Sequence, residues 1–289
     1  MTWLFFSFAS LILTVTNGLV AKLSLNNKKS NLDPVAFASA TFTLIGVTTF
    51  VIYIATNPSV TDLQSLFNLK LFLLLGVNLI FYTISPSLYF PSLKNLPLSV
   101  VTIVYSLSGF FAYIIGSILK VNTITLIGTI GSILIITSVV LVSFNSLDLK
   151  ASRYLPLVFL ATLIYSLAAN IDQQLLSHFS TIFYMSVTFG IPGLLLPIIN
   201  RTSWKKIKQP YIRGNYLSVF LYSLFISTSF YTIFLAYKFG GSAAKVYSVL
   251  AIEAVATVIA SAIFLNERKN LFLKIIAAII AGLGIYLLL

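Results

Sequence analysis

Two stretches decide how this chain is read: Val100–Asn122, VVTIVYSLSGFFAYIIGSILKVN, and Val246–Arg268, VYSVLAIEAVATVIASAIFLNER. They lie over one another without a gap, and each reaches the roughly 20 apolar residues that a membrane-spanning helix needs. Other segments repeat in the same order. TNGLVAKLSL in the first half lies over ANIDQQLLSH in the second, which sets Asn17 against Asn170. DPVAFASATFTLIG then lies over TIFYMSVTFGIPG, which sets Gly46 against Gly193. The chain reads as one unit used twice.

Working outward, ten apolar blocks follow: Thr2–Lys22, Pro34–Ala55, Leu69–Tyr89, Pro97–Leu119, Asn122–Phe144, Tyr154–Leu176, Thr181–Ile199, Tyr216–Lys238, Ser242–Leu265 and Leu271–Leu289. Asp33-Pro34 offers a capping residue before a proline at the first helical position. PSLKNLP separates the third block from the fourth, and GGS the eighth from the ninth. Pro86, Pro192 and Pro197 fall within blocks and are expected to kink them. The block Trp3–Val20 lacks the basic start and small-residue cleavage site of a signal peptide, so it reads as a retained span.

The expected fold is an all-α membrane protein of ten transmembrane helices in two inverted five-helix repeats, residues 1–144 and 154–289, joined by a connector at 145–153. The inversion follows from the odd number, because a five-span unit must enter the bilayer from the other side the second time. Secondary transporters built this way hold substrate near the midplane, between the halves. Loop charge agrees. Lys22, Lys28 and Lys29 border the first loop, whose counterpart has no Lys or Arg; the second loop has only Lys70, whose counterpart has Arg201, Lys205, Lys206, Lys208 and Arg213. The positive-inside rule then sets the odd-numbered loops in the cytoplasm and both termini outside.

Composition excludes much. The 289 residues are 58% hydrophobic and only 8% charged, with mean hydropathy +1.01; soluble domains carry about a quarter charged. The net charge of +12 sits between apolar blocks, which indicates loops against anionic lipid rather than nucleic acid. The stretch Arg201–Arg213, with Trp204, is the main such anchor. The chain has no cysteine, one histidine (His178) and six acids, so neither a metal site nor an intramembrane active site is expected, and no cofactor. No Gly-x-x-x-x-Gly-Lys-Ser/Thr loop is present to hold ATP.

Within apolar blocks a few polar residues stand out. A charge at Glu253 costs roughly 2.5–3.5 kcal/mol at bilayer centre on insertion scales, so it faces inward, either as a proton or amine site or as a bond between helices. Lys245 lies about 12 Å earlier along the axis and about 80° around it, too far to pair with Glu253; it meets an anionic substrate or snorkels to the interface. Asp172 and Asn170 form a polar cluster on the sixth block, either lining a cavity or closing a helix end, with Asn17 as partial mirror. Lys22 reads as an interfacial anchor. Tyr82, Tyr89, Tyr105 and Tyr231 combine an apolar face with a hydroxyl and suit either a mixed-polarity cavity or an interfacial belt. Ala278/Gly282 and Ala256/Ala260 are spaced for close helix packing, within the chain or between two copies.

At FLNERKNLFLKIIAAIIAGLGIYLLL the sequence resembles the EamA-type members of the drug/metabolite transporter superfamily, through Leu265, Glu267 and Arg268 and a last helix rich in small residues. LAIEAVATVIA resembles the family's Leu-Glu-Pro-Val stretch, with Glu253 matching the Glu and Ala254 in place of the Pro. The resemblance implies a ten-span carrier in the cell membrane, export of an amino-acid-like metabolite, and cytoplasmic termini, against the loop charges. Lys245 is also similar to the lysine that opens the ninth helix of nucleotide-sugar transporters, which keeps a nucleotide-sugar or sugar-phosphate exchanger as an alternative. A receptor or scaffold that moves nothing is the alternative of another class. The expected partners are a small-molecule substrate and the bilayer, with the chain a monomer or a homodimer.

Overall fold

Serine and threonine hydroxyls account for most of the buried polar side chains, and most of them bond the carbonyl one helical turn back. Ser7, Thr83, Ser92, Thr162, Ser166 and Thr188 all do so and are fully buried. Large apolar side chains meanwhile face outward, among them Phe72, Leu73, Leu194, Ile198 and Phe220. This reverses the soluble pattern and is what a hydrocarbon solvent selects, because each helix must satisfy its polar groups internally.

The structure, a computed structural model, describes residues 2–27, 32–56, 59–118, 125–146, 153–212, 215–250 and 252–287. Lys28, Lys29, Arg213 and most of the 145–153 connector lie outside these. The described residues are helical, without a strand. The first half contains α1 (Thr2–Asn26), α2 (Pro34–Ala55), α3 (Val60–Leu66), α4 (Leu69–Asn95), α5 (Leu98–Tyr105), α6 (Leu107–Ile118) and α7 (Leu126–Ser146). The second contains α8 (Leu155–Leu175), α9 (Thr181–Ile199), α10 (Trp204–Lys208), a 3-10 turn (Gln209–Tyr211), α11 (Tyr216–Lys238), α12 (Ala243–Leu250), α13 (Ile252–Phe264) and α14 (Leu271–Tyr286). Among the described residues eight helices, counting Leu98–Ile118 and Lys245–Phe264 as single spans, are long and apolar enough to cross a membrane. The fifth and tenth expected spans are shorter apolar helices, Leu126–Leu141 and Leu271–Gly284. The chain is an integral, multi-pass membrane protein.

The closest packings pair α2 with α9, α1 with α11, α4 with α8, and α7 with α14. Small residues permit them. A Cβ built on Gly46 would fall on the Gly190 backbone, 2.5 Å from its nitrogen, and one on Gly193 would lie 2.5 Å from the nitrogen of Thr43.

Polar contacts tie the helix ends. Asp33 caps α2 through the N–H groups of Val35 and Ala36, both at 3.1 Å. Its own N–H donates to Gln209 Oε1 and its carboxylate meets Lys206 at 2.9 Å. At the other end of the α2–α9 pair, Asp62 on α3 accepts from the N–H and hydroxyl of Ser180, both at 2.6 Å. Lys94 donates to the carbonyl of Leu32 at 2.7 Å and Lys238 to that of Phe179 at 3.0 Å.

Two expectations are corrected. Lys22 is no interfacial anchor: it is 5% exposed and donates to the carbonyls of Leu93, Lys94 and Leu96, the free C-terminal end of α4, where a cation is favoured. PSLKNLP does not end the third span at its first proline, for α4 runs through Pro91 to Asn95. The second and seventh loops each hold a short helix. Glu267, of the Leu-x-Glu-Arg turn, accepts from the N–H groups of Leu98 and Ser99 and so caps α5, beside Lys22 at the same junction.

Candidate functional site

The helix α4 carries Asn78, Tyr82, Ser85 and Tyr89 at intervals of three and four, one polar stripe along an otherwise apolar rod. That stripe faces inward because the alternative is hydrocarbon. Tyr82, Ser85 and Tyr89 of the stripe form one wall of a central cavity of about 120 Å³, completed by residues of α1, α2, α5, α6, α8, α11, α12 and α13. Both halves of the chain therefore contribute. Ser106, where the fourth span breaks between α5 and α6, lies in the wall as well.

Glu253 and Asn17 define its polarity. Glu253 lies in the wall next to Tyr89 and Tyr105, yet makes no hydrogen bond or ion pair among the described residues. Asn17, beside Tyr222, has its Oδ1 buried and without a partner among the described residues. Among the described residues no Lys, Arg or His lines the cavity. An unpaired acidic group facing a cavity leaves room for a cationic group of a solute, or for a proton. The remaining wall is largely aromatic. Tyr165 is central, with ring centroids at 5.3 Å from Tyr105, 5.8 Å from Tyr247, 6.2 Å from Phe230 and 6.4 Å from Tyr82. Its hydroxyl bonds that of Tyr247 at 2.7 Å. Aromatic faces attract cations, most when desolvated.

Of the residues singled out in the sequence, Glu253, Asn17, Tyr82, Tyr89 and Tyr105 are thus brought together around one space. Four are not. Lys245 is exposed at the start of α12, outside the cavity, because one turn into a span a lysine reaches water at little cost. Tyr231 is 38% exposed and also outside it: Phe230 faces the cavity, and the next residue on a helix points about 100° away. Asn170 is buried but spends its amide on the Ser166 carbonyl at 2.9 Å. Asp172 sits one layer back, 1% exposed, bonded to Tyr82, Asn78 and Tyr184. Tyr165, Tyr222 and Tyr247 were not singled out; the signal for Tyr165 was its place seven residues before Asp172, on the same helical face.

Comparison with known proteins agrees with this architecture. Residues 152–289 match the model of the EamA-like transporter family. A crystal structure of another protein, 13% identical, superposes over 99% of this chain and 95% of its own with a TM-score of 0.68, a likeness of fold. No match is found among curated proteins.

Proposed function

From a multi-pass membrane protein whose match to the EamA-like transporter family supports membership of the drug/metabolite transporter superfamily, we propose a secondary carrier that moves a small amino-acid-like or amine solute by alternating access of its two halves. The observation that carries this reading is the unpaired Glu253 facing a tyrosine-rich cavity between those halves. At about 120 Å³ the space is several times the roughly 30 Å³ of a water, and below the roughly 300 Å³ of drug-sized sites. A small solute fits that size.

The domain reading, 1–144 against 154–289 as inverted repeats, draws support from contacts that recur in register. Asp33 stands to Ser180 by the same step along the chain as Asp62 to Gln209, Leu32 to Phe179, Thr43 to Gly190 and Gly46 to Gly193. The contact of Asp33 with Gln209 therefore has its mate in Ser180 with Asp62. That of Gly46 with Gly190 has its mate in Gly193 with Thr43. Lys94 on Leu32 and Lys238 on Phe179 make a similar contact, with the lysines three residues out of that step. A two-fold relation between two helices makes them antiparallel when its axis crosses them and parallel when it runs along them. Here Ser39 meets Gly193 while the later Gly46 meets Gly190, so α2 and α9 are antiparallel. Inverted repeats require such an axis in the membrane plane, and the antiparallel pair supports that reading.

The exchanger of nucleotide sugars or sugar phosphates loses its anchor, since Lys245 lies outside the cavity and no Lys or Arg among the described residues lines it. Counterflow separates the classes. Proteoliposomes loaded with an unlabelled zwitterionic amino acid or small amine are expected to accumulate the labelled form, and those loaded with sugar phosphate are not. Exchange of sugar phosphates alone would favour the anion reading, and ligand binding without any exchange a receptor.

A further inference from the structure

Asp172 is a carboxyl that the cavity does not use directly. Its Oδ1 accepts from Asn78 Nδ2 at 2.7 Å and from the Tyr184 hydroxyl, and its Oδ2 accepts from the Tyr82 hydroxyl at 2.8 Å. Those donors come from α4 and α9, both packed against the group. The other titratable side chains facing it are Tyr165 of its own helix, Tyr237 of α11 and Tyr247 of α12. Among the described residues no Lys, Arg or His pairs with it.

This donor set discriminates between occupants. A metal ion needs lone pairs directed at it, whereas here three hydrogens point at the carboxylate. A proton needs only one of these hydrogens, that of the Tyr82 hydroxyl, to turn away. The cluster also lacks a donor rather than an acceptor, because Asn78 Oδ1 is buried without a partner among the described residues. Tyr82 meanwhile has two surroundings, since its hydroxyl holds Asp172 while the residue lines the cavity.

We propose that Asp172 is a second proton-binding carboxyl, one layer behind the cavity wall, whose occupancy reverses its bond to Tyr82 and so governs whether that hydroxyl is offered to a solute. In the ionised state Tyr82 donates to Oδ2. When a proton from the aqueous side binds Oδ2, the new O–H donates to the Tyr82 oxygen, and the Tyr82 hydroxyl hydrogen turns to the cavity. The only bond made is O–H. Coupling then uses two carboxyls, with Glu253 meeting the solute and Asp172 the proton. The consequence for solute rests on the carrier reading; the proton site does not.

Infrared difference spectra of the reconstituted chain across a pH step test this without any solute. A protonated-carboxyl C=O band is expected that is lost in Asp172→Asn, kept in Glu253→Gln, and shifted in Tyr82→Phe, which removes the partner of Oδ2. The proposal is overturned if Asp172→Asn retains every carboxyl band of the parent. An unshifted band in Tyr82→Phe also overturns it, and that variant decides alone should Asp172→Asn not fold. A chain that exchanges no solute yet shows this band would defeat the carrier reading and leave the proton site standing; an active carrier without the band would do the reverse.

Discussion

Glu253→Gln is expected to lower solute exchange in proteoliposomes by at least about tenfold while the protein melts no lower than its parent. Glutamine keeps the shape of the side chain and removes the charge that a cationic solute or a proton would meet. Removing one partner of a desolvated charge pair costs roughly 2–5 kcal/mol, and about 1.4 kcal/mol is a tenfold change in affinity. Stability moves the other way. Glu253 has no hydrogen bond or ion pair to lose among the described residues, and an uncompensated charge in the bilayer is itself a cost. A structural bond between helices would show the opposite pattern, with melting lowered and exchange reduced only in proportion to folded protein.

Gly46→Ala is expected to lower the melting temperature by several degrees, whereas Gly190→Ala leaves it unchanged or raises it. The two glycines face one another, yet the space beside them differs. A Cβ on Gly46 meets backbone atoms of Gly190, which cannot swing aside, so α2 and α9 must part. Overpacking of that kind costs roughly 1–3 kcal/mol. A Cβ on Gly190 meets Gly46 Cα at 3.4 Å, an ordinary contact. There the gain in helix propensity from Gly to Ala, roughly 1 kcal/mol in a helix interior, is unopposed. Thermal unfolding in one detergent, both variants side by side, checks the sign as well as the size. Equal effects would mean that the Gly46–Gly190 contact does not set the spacing of this pair.

What was legible in the sequence followed from single helices. Hydropathy marks the spans because the bilayer imposes a length, and Glu253 stands out because a charge in such a span is rare. Legible too was a step that sets Gly46 against Gly193, on which the proposed repeat rests. Helix direction around the axis was not. Lys245 and Tyr231 were grouped with cavity residues on chemistry alone, and only the packing of α11 and α12 turns them away. Partners distant in the chain were invisible as well. Lys22 holds carbonyls near Leu93 and Leu96, and Glu267 caps Leu98, contacts that no local pattern announces. Asp172 was noticed, but its place behind Tyr82 depends on three helices meeting.

The central claim is that one cavity opens in turn to either side of the membrane. The chain contains no cysteine, so a single introduced thiol is the only one present. Ser108 lines the cavity and is 4% exposed, and Ser108→Cys changes its volume little. Labelling of that variant with a membrane-impermeant maleimide, in right-side-out and in inside-out vesicles, measures access directly. Modification from both faces, slowed by a solute that the protein exchanges, is the expected result. Modification from one face only, under every solute and gradient, would contradict it.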